Sequence, residues 1–283
     1  MIRGVQLLNM ELLPQYYVVT VVGLLGLIIG SFLDVIVCRF NTGKSINGRS
    51  RCLSCGHALS WYELLPLVSY IVLRGRCKSC GSSIPARLLV MESVTAFMFV
   101  YVYIHAHSYV FTIFSMILVS LLIVISAYDM RHMIIPNGFV LALILLACVY
   151  LGYESYIFST SFSLLSHAFA ASGVALFFAS LWFFSSGRWI GFGDVKLAFA
   201  LCLFLSVEEA FSFVVLSFWV GAFVSVCILG LQKLLQSGKQ YLPIQGLSLT
   251  MKSEVPFAPF MIIAFIVVFF QQANVLSIMT RLF

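Results

Sequence analysis

Residues 17–38 read Y-V-V-T-V-V-G-L-L-G-L-I-I-G-S-F-L-D-V-I-V-C, with Asp34 as the only charged side chain. About twenty mostly apolar residues are enough for a helix to cross the hydrocarbon core of a bilayer. Gly23, Gly26 and Gly30 fall on one face of that helix, which favours close packing against a second membrane helix. The rest of the chain is as apolar as this stretch suggests. Of all residues, 62% are hydrophobic and 9% are charged, and the mean hydropathy is +1.08. This composition excludes an ordinary soluble domain and indicates an integral membrane protein.

Further apolar stretches follow the first one along the whole chain. They predict an all-α polytopic membrane protein with about eight transmembrane helices, because backbone groups in lipid must bond within their own segment. The sixth stretch is short, so we expect it to be partly re-entrant or to begin inside the preceding loop. The first stretch lacks a basic region directly before it and an A-x-A site after it, so we expect no signal-peptide cleavage. The predicted stretches are 17–38, 88–106, 109–127, 137–153, 160–184, 195–207, 210–231 and 257–280.

The basic residues predict the orientation of these helices. Fourteen of the 16 Lys and Arg residues fall in the four loops on one side of the predicted membrane, and the opposite loops carry none. The positive-inside rule places those four loops in the cytoplasm and both termini outside. The net charge of +6 follows from this cytoplasmic excess. We therefore expect lipid contact and no nucleic-acid binding. The four basic loops are 39–87, 128–136, 185–196 and 232–256.

Four of the eight cysteines form two polar C-x2-C turns, with 21 residues between the two turns. Two such turns supply the four thiolates of a closed tetrahedral zinc site. A pair of disulfides is the alternative, but the charge rule places the segment in the reducing cytoplasm. The predicted zinc ligands are Cys52, Cys55, Cys77 and Cys80. We expect the other cysteines, which lie in or beside apolar helices, to be packing residues, and His57 to be solvated.

The zinc ligands lie in the polar segment 39–87, between the first two predicted helices. The stretch 61–75 inside it is apolar but too short to span a bilayer, so we expect it to be amphipathic or interfacial. A domain this small gains stability from a metal. The predicted organisation is an N-terminus and first helix over 1–38, a cytoplasmic zinc domain over 39–87 and a seven-helix membrane core over 88–283.

Four acidic residues lie close to the predicted membrane segments, and such groups are functional candidates because an unpaired buried charge is costly. By the predicted topology, all four lie near the cytoplasmic ends of their helices. Two of them have simple alternative explanations, because Glu92 could pair with Arg87 and Asp34 with Arg39. The four acids are Asp34, Glu92, Asp129 and Asp194.

Asp129 and Asp194 are the stronger candidates. Asp129 closes the third predicted span, where it faces the negative end of the helix dipole and gains nothing in stability. Asp194 could cap the sixth helix, but Gly191 and Gly193 just before it permit the close backbone approach that a bound substrate requires. Capping or pairing with a cation remains the alternative for both acids. We expect His132 to be a solvated loop residue.

Residues 191–196, G-F-G-D-V-K, and residues 129–137, D-M-R-H-M-I-I-P-N, resemble two signatures of the type IV prepilin peptidases, which are polytopic aspartic proteases. G-S-F-L-D-V at 30–35 is similar to the first helix of that family, and the C-x2-C turns to its cytoplasmic domain. Arg87 and Glu92 match its R-x4-E pattern, and P-F-A-P-F at 256–260 resembles the entry to its last helix. The chain departs from the family at Asp34, where an asparagine is usual.

The resemblance implies cleavage of the basic leader of type IV prepilins or pseudopilins at the cytoplasmic face of the inner membrane. It also implies methylation of the new N-terminus with S-adenosylmethionine. Two carboxylates that share a site do not both ionise readily, so one can activate water while the other keeps a proton. We expect Asp129 and Asp194 to be this pair, and helix polarity favours Asp194 as the base and Asp129 as the acid. Lys196 either helps to neutralise the pair or anchors the helix at the membrane surface.

Two other functions fit parts of the pattern. An ion-coupled channel or transporter could use the same acids, but such proteins often have repeated halves and we find no internal repeat. A different intramembrane aspartic protease, such as a preflagellin peptidase, shares the acids and is not expected to carry the cysteine segment. We expect core or interfacial roles for His105, His107 and His167, and no sequence feature predicts an oligomeric state.

Overall fold

A computed structural model describes residues 14–43, 48–52, 54–64, 66–106, 108–158, 161–237 and 256–271. The described residues form helices and turns, and their only β-type pairing is two isolated antiparallel bridges. His107, the terminal segments and most of the predicted loop 232–256 lie outside the described residues. The α-helices are α1 (Gln15–Arg39), α2 (Val68–Val72), α3 (Ala86–His105), α4 (Tyr109–His132), α5 (Asn137–Phe158), α6 (Ser161–Ser185), α7 (Phe192–Cys202), α8 (Val207–Ser237) and α9 (Ala258–Gln271).

Each of the eight predicted apolar stretches corresponds to one α-helix, and α2 is a short additional helix in the cytoplasmic segment. Six described helices, namely α1, α3, α4, α5, α6 and α8, are long and apolar enough to cross a membrane. The described part of α9 has 14 residues, and α7 has 11. The all-α polytopic fold is therefore confirmed, and the sixth predicted stretch is the short helix α7.

The chain divides into two compact units between Val124 and Ile125, within α4. In the first unit, α1 packs along α3. A Cβ atom built on Gly26 would lie 2.6 Å from the Cα of Ala96, and one on Gly30 would lie 2.8 Å from the Cα of Glu92. The same atom on Gly23 would meet only a side-chain methyl, at 3.6 Å. The predicted glycine face is thus the contact surface, and two of its three glycines are needed for the close approach of the helices.

In the second unit, α7 packs against α5, α6 and α9. Five of its residues are fully buried, so this short helix lies in the interior of the unit. His167 of α6 is also buried, and its Nδ1 lies 3.2 Å from the carbonyl oxygen of Leu203, just after α7. That contact fits the predicted core role. The five buried residues of α7 are Leu197, Ala198, Ala200, Leu201 and Cys202.

Candidate active site and cysteine cluster

Asp194 lies in the first turn of α7. Its Oδ2 accepts a hydrogen bond of 3.2 Å from the backbone N–H of Gly191, the residue that precedes the helix. The N–H of Asp194 donates in return to the carbonyl of Gly191 at 3.1 Å. The carboxylate therefore caps the helix, as the capping alternative predicted. This bond engages the Oδ2 atom of a side chain that is buried among the described residues.

Asp129 lies in the last turn of α4. The helix ends when the N–H of Met133 donates to the carbonyl of Asp129 at 2.8 Å and Met133 adopts a positive φ of 52°. The backbone N–H of Ala258, at the start of α9, forms a hydrogen bond with the carboxyl group of Asp129. The Oδ2 atom of Asp129 is buried without a hydrogen-bond partner among the described residues. A buried acceptor left open in this way is available to a water molecule or a substrate.

The two carboxyl groups interact electrostatically, and both belong to the second unit. The first turn of α7 packs directly on the connection between α4 and α5, because a Cβ atom on Gly193 would lie 3.2 Å from the Cβ of Ile135. Only a residue without a side chain fits this contact unless Ile135 moves. The glycine therefore holds Asp194 close to the segment that follows Asp129. Two buried carboxyl groups so arranged can share a proton and polarise a water molecule.

Lys196 and Gly191 occupy the same end of α7. The Nζ of Lys196 donates to the Oδ1 of Asn137 at 2.9 Å and lies 4.7 Å from the centre of the Phe192 ring. These contacts link the first turn of α7 to the first residue of α5. A Cβ atom on Gly191 would lie 3.5 Å from the Oδ2 of Asp194, which is an ordinary contact distance.

The position of His132 differs from the one predicted from the sequence. It is the last residue of α4 rather than a solvated loop residue, and its ring lies 4.4 Å from that of Tyr128. Its Nε2 is buried without a hydrogen-bond partner among the described residues. Residues four apart on a helix are neighbours on its surface. The contact between Tyr128 and His132 would therefore have been predicted if the third helix had been predicted to continue past Asp129.

Arg87 and Glu92, in the first unit, have other partners than the sequence suggested. Arg87 forms an ion pair with Asp34, with 2.7 Å between Nε and Oδ1, and its Nη2 donates to the Sγ of Cys38 at 2.8 Å. Glu92 is buried and accepts a hydrogen bond of 2.8 Å from the N–H of Leu67. The ion pair therefore joins α1 to α3, while Glu92 ties α3 to the residue before α2. The suggested pairing of Glu92 with Arg87 was wrong, because reasoning along one helix ignores acids on its neighbour.

The four predicted zinc ligands form one cluster, with all four Sγ atoms within 4.8 Å of one another. All four are free thiols, and the Sγ atoms of Cys52 and Cys80 lie 3.8 Å apart. The two turns share one conformation. In each, the N–H of the glycine after the second cysteine donates to the carbonyl of the first, at 3.0 Å from Gly56 and 2.9 Å from Gly81. Both glycines have positive φ, of 72° and 70°, which suits glycine.

At two of the four cysteines, Cys52 and Cys80, the surroundings favour the thiolate, which is the form that binds metal. The N–H of Cys55, with the hydroxyl of Ser82 and the N–H of Ser54, lowers the pKa of Cys52 to about 5. The hydroxyl and N–H of Ser82 lower the pKa of Cys80 as well. Four converging sulfur atoms, two of them favoured as thiolates, fit a tetrahedral Zn²⁺ ion and leave no open position for a substrate.

Comparisons with known proteins match two family models to the chain. The bacterial peptidase A24 N-terminal domain matches residues 24–106, and the type IV leader peptidase family matches residues 116–226. The first range contains the cysteine cluster, Arg87 and Glu92, and the second contains Asp129 and Asp194. No solved structure matches the chain.

Several curated relatives carry the name prepilin leader peptidase/N-methyltransferase. The relative from Dichelobacter nodosus is 28% identical over 90% of this chain and 92% of its own length, and that from Aeromonas hydrophila is 27% identical over 89% and 90%. The relative from Myxococcus xanthus is 39% identical, over 40% of this chain and 34% of its own length. From the two matched domains and the relatives that align over most of their length, this chain belongs to the type IV leader peptidase family and is a peptidase.

Proposed function

We propose that this protein removes the basic leader of type IV prepilins or pseudopilins, with Asp129 and Asp194 as the catalytic pair. The observation that carries the proposal is the pair itself. Two buried carboxyl groups from α4 and α7 interact within one compact unit, and one of them retains an oxygen without a partner among the described residues. The relatives named prepilin leader peptidase supply the substrate class.

Cleavage requires one ionised and one protonated carboxyl group, and the pair titrates jointly. The ionised carboxylate takes a proton from a water molecule, whose oxygen attacks the carbonyl carbon of the scissile peptide. The protonated carboxyl group stabilises the developing oxyanion. When the C–N bond breaks, a proton passes from the pair to the leaving amine, and the leader departs with a new carboxyl group. No covalent intermediate with the enzyme forms.

The groups around the pair have supporting roles in this proposal. Gly193 keeps the first turn of α7 close to the α4–α5 connection, and Gly191 leaves the approach to Asp194 free of a side chain. Lys196 links the first turn of α7 to Asn137 of α5. Arg87 and Glu92 fix the α1–α3 pair and its link to the segment before α2.

A second activity follows from the other half of the relatives' name. We infer that the new N-terminal amine is methylated by S-adenosylmethionine, which donates its methyl group to the nitrogen as the S–CH₃ bond breaks and the amine loses a proton.

The cysteine cluster has a structural role in this proposal. Cys52, Cys55, Cys77 and Cys80 would hold Zn²⁺, which supplies a crosslink between the two turns of the segment 39–87. This zinc domain, the first helix and the seven-helix core over 88–283 are the three parts of the proposed organisation.

The protein is a multi-pass protein of the inner membrane, in keeping with the six long apolar helices among its described residues and with its relatives. We propose that both termini are periplasmic and that the catalytic pair lies at the cytoplasmic face. The distribution of Lys and Arg between the loops supports this orientation.

The test uses the purified full-length protein with prepilin and preflagellin substrates, with and without S-adenosylmethionine. Mass spectrometry of the products should show loss of the prepilin leader and, with the methyl donor, the mass of one added methyl group. Asp129→Asn and Asp194→Asn should each insert normally and leave the leader uncut. Glu154→Gln is the matched control, because this membrane carboxylate bonds to Tyr150 instead, and it should cleave normally. Normal processing by either Asn variant would remove that aspartate from the mechanism.

A further inference from the structure

Helix α2 turns an apolar face away from the rest of the segment 39–87. Val68, Ile71 and Val72 lie on one side of this helix, since residues three and four apart share a face, and they expose 55%, 70% and 73% of their surface. Tyr70 points the opposite way, because a Cβ atom on Gly75 would lie 3.0 Å from its ring. Helix α2 therefore packs on its own segment through Tyr70, and its apolar side is uncovered among the described residues.

Two hydrogen bonds hold α2 beside the beginning of α3. The N–H of Leu67, which precedes α2, donates to the carboxylate of Glu92 at 2.8 Å. The N–H of Ile84, just before α3, donates to the carbonyl of Gly75 at 2.7 Å. The chain thus runs from the level of Glu92 at the start of α2 to the level of Ile84 beyond its end, alongside the first two turns of α3.

Those first turns of α3 belong to a helix that needs its whole length to cross a bilayer. α3 has 20 residues, which make about 30 Å, the thickness of the hydrocarbon core. Its first residue, Ala86, therefore lies at the membrane boundary, and Glu92 lies about 9 Å further along the helix. Val90 and Val94, on either side of Glu92 in the sequence, are exposed as lipid-facing residues are. The start of α2 is thus at a depth where the exposed side chains of α3 meet lipid.

The charge of the segment 39–87 fits the surface of a bilayer that contains anionic lipids. The segment carries eight Lys and Arg residues and one acidic residue, a net charge of +7. The acid, Glu63, is buried, and its carboxylate is hydrogen-bonded within the segment. Arg74 and Arg76 follow α2 directly and are exposed. They lie at the end of α2 that is nearer to the membrane boundary, where the phosphate groups of the lipids are.

We propose that the apolar face of α2 inserts into the lipid beside α3, and that Arg74 and Arg76 bind the phosphate groups of anionic phospholipids there. Apolar burial and electrostatic attraction act together in interfacial helices of this kind. The insertion adds lipid contact to the hydrogen bonds that join the segment 39–87 to α3, and it holds the four cysteines at the membrane surface. The proposed orientation makes this the cytoplasmic leaflet, but the lipid contact itself does not depend on that orientation.

Photocrosslinking from the two sides of α2 tests the lipid contact. Benzoylphenylalanine replaces Val72 or Tyr70 in the full-length protein, which is reconstituted with prepilin in vesicles of phosphatidylcholine and phosphatidylglycerol. Tyr70 is the matched control, since it lies on the same helix about 160° from Val72, and Ile71 is a second probe position on the apolar face. The Val72 probe should form about fivefold more phospholipid adducts than the Tyr70 probe. Equal yields, or Val72 adducts with prepilin or with another part of the chain instead of lipid, would overturn the proposal.

The lipid composition of the adducts tests the two arginines. In an equimolar mixture, the Val72 probe should capture phosphatidylglycerol about threefold more often than phosphatidylcholine. The combined change Arg74→Gln and Arg76→Gln should remove this preference. Arg188→Gln, which changes an exposed arginine outside the segment, should leave it intact. Equal capture of the two lipids before any arginine is changed would refute the binding of anionic lipid. Neither measurement depends on peptidase activity, so this proposal and the proposed function fail separately.

Discussion

Gly26→Ala is the substitution whose effect can be worked out most directly from the structure. The new methyl group would lie 2.6 Å from the Cα of Ala96 and 3.0 Å from the carbonyl oxygen of Thr95. Both are backbone atoms of α3, so no side-chain rotation relieves the clash. Ordinary contact begins at 3.4 Å. The two helices must therefore separate locally by about 0.8 Å, the difference between 3.4 and 2.6 Å.

A gap of that size weakens the dispersion contacts around it by roughly a quarter to a half. Overpacking a close interface typically costs about 1–3 kcal/mol. Helix propensity does not offset this cost, because membrane segments must form their backbone hydrogen bonds whether or not the helices are packed together. We therefore expect Gly26→Ala to lower the free energy of unfolding by about 1–3 kcal/mol.

Gly23→Ala is the matched control. It makes the same change one turn earlier in α1, where the new methyl group would meet only a methyl of Val100 at 3.6 Å. We expect it to change the free energy of unfolding by less than about 0.5 kcal/mol. The assay titrates SDS into the detergent-solubilised protein and follows fluorescence transfer between labels on α1 and α3. If the two variants unfold at the same SDS fraction, the close approach at Gly26 does not determine the stability of the helix pair.

Three further predictions concern other parts of the molecule. Elemental analysis should find about one zinc ion per purified chain, and Cys77→Ser should lose it while Cys148→Ser, far from the cluster in sequence, retains it. Asp34→Leu removes the partner of Arg87 and should lower the free energy of unfolding by about 1–2 kcal/mol in thermal unfolding. Asp34→Asn keeps an oxygen that can accept a hydrogen bond from Arg87 and should lower it by less. Equal decreases for the two variants would contradict a role for the ion pair. Gly193→Val places a branched side chain in the contact with the α4–α5 connection and should slow prepilin cleavage at least tenfold in the mass-spectrometric assay; an unchanged rate would show that α7 does not need this contact.

Hydropathy predicted the helices well because apolar runs without turn residues have one stable backbone arrangement in lipid. The stretch 17–38 became α1, Gln15–Arg39, and the ends differ by only one or two residues. The sixth stretch was placed less well, at 195–207 instead of Phe192–Cys202. Its glycines indicated a loop, whereas Asp194 caps the N–H of Gly191 and allows the helix to begin before Gly193.

Contacts between helices could not be predicted from the spacing of residues along one helix. Arg87 has an acid five residues later in its own helix, but its partner is Asp34 on α1. Likewise, the hydrogen bond between Asp129 and the N–H of Ala258 joins residues far apart in the sequence. The individual residue types were visible in the sequence, but their partners depend on which helix faces which, and hydropathy carries no information on that.

The short length of α7 bears on where a carboxylate can act in a membrane protein. Eleven residues make a helix about 16 Å long, roughly half the thickness of the hydrocarbon core. Such a helix leaves unpaired backbone groups at its ends, and lipid cannot satisfy them. Packing of α7 among α5, α6 and α9 covers its C-terminal end, where Leu201, Cys202 and Leu203 are buried. The side chain of Asp194 satisfies the N–H of Gly191 at one end. The requirement to cap a short interior helix therefore places a carboxylate inside the protein, next to Asp129, without exposing it to lipid.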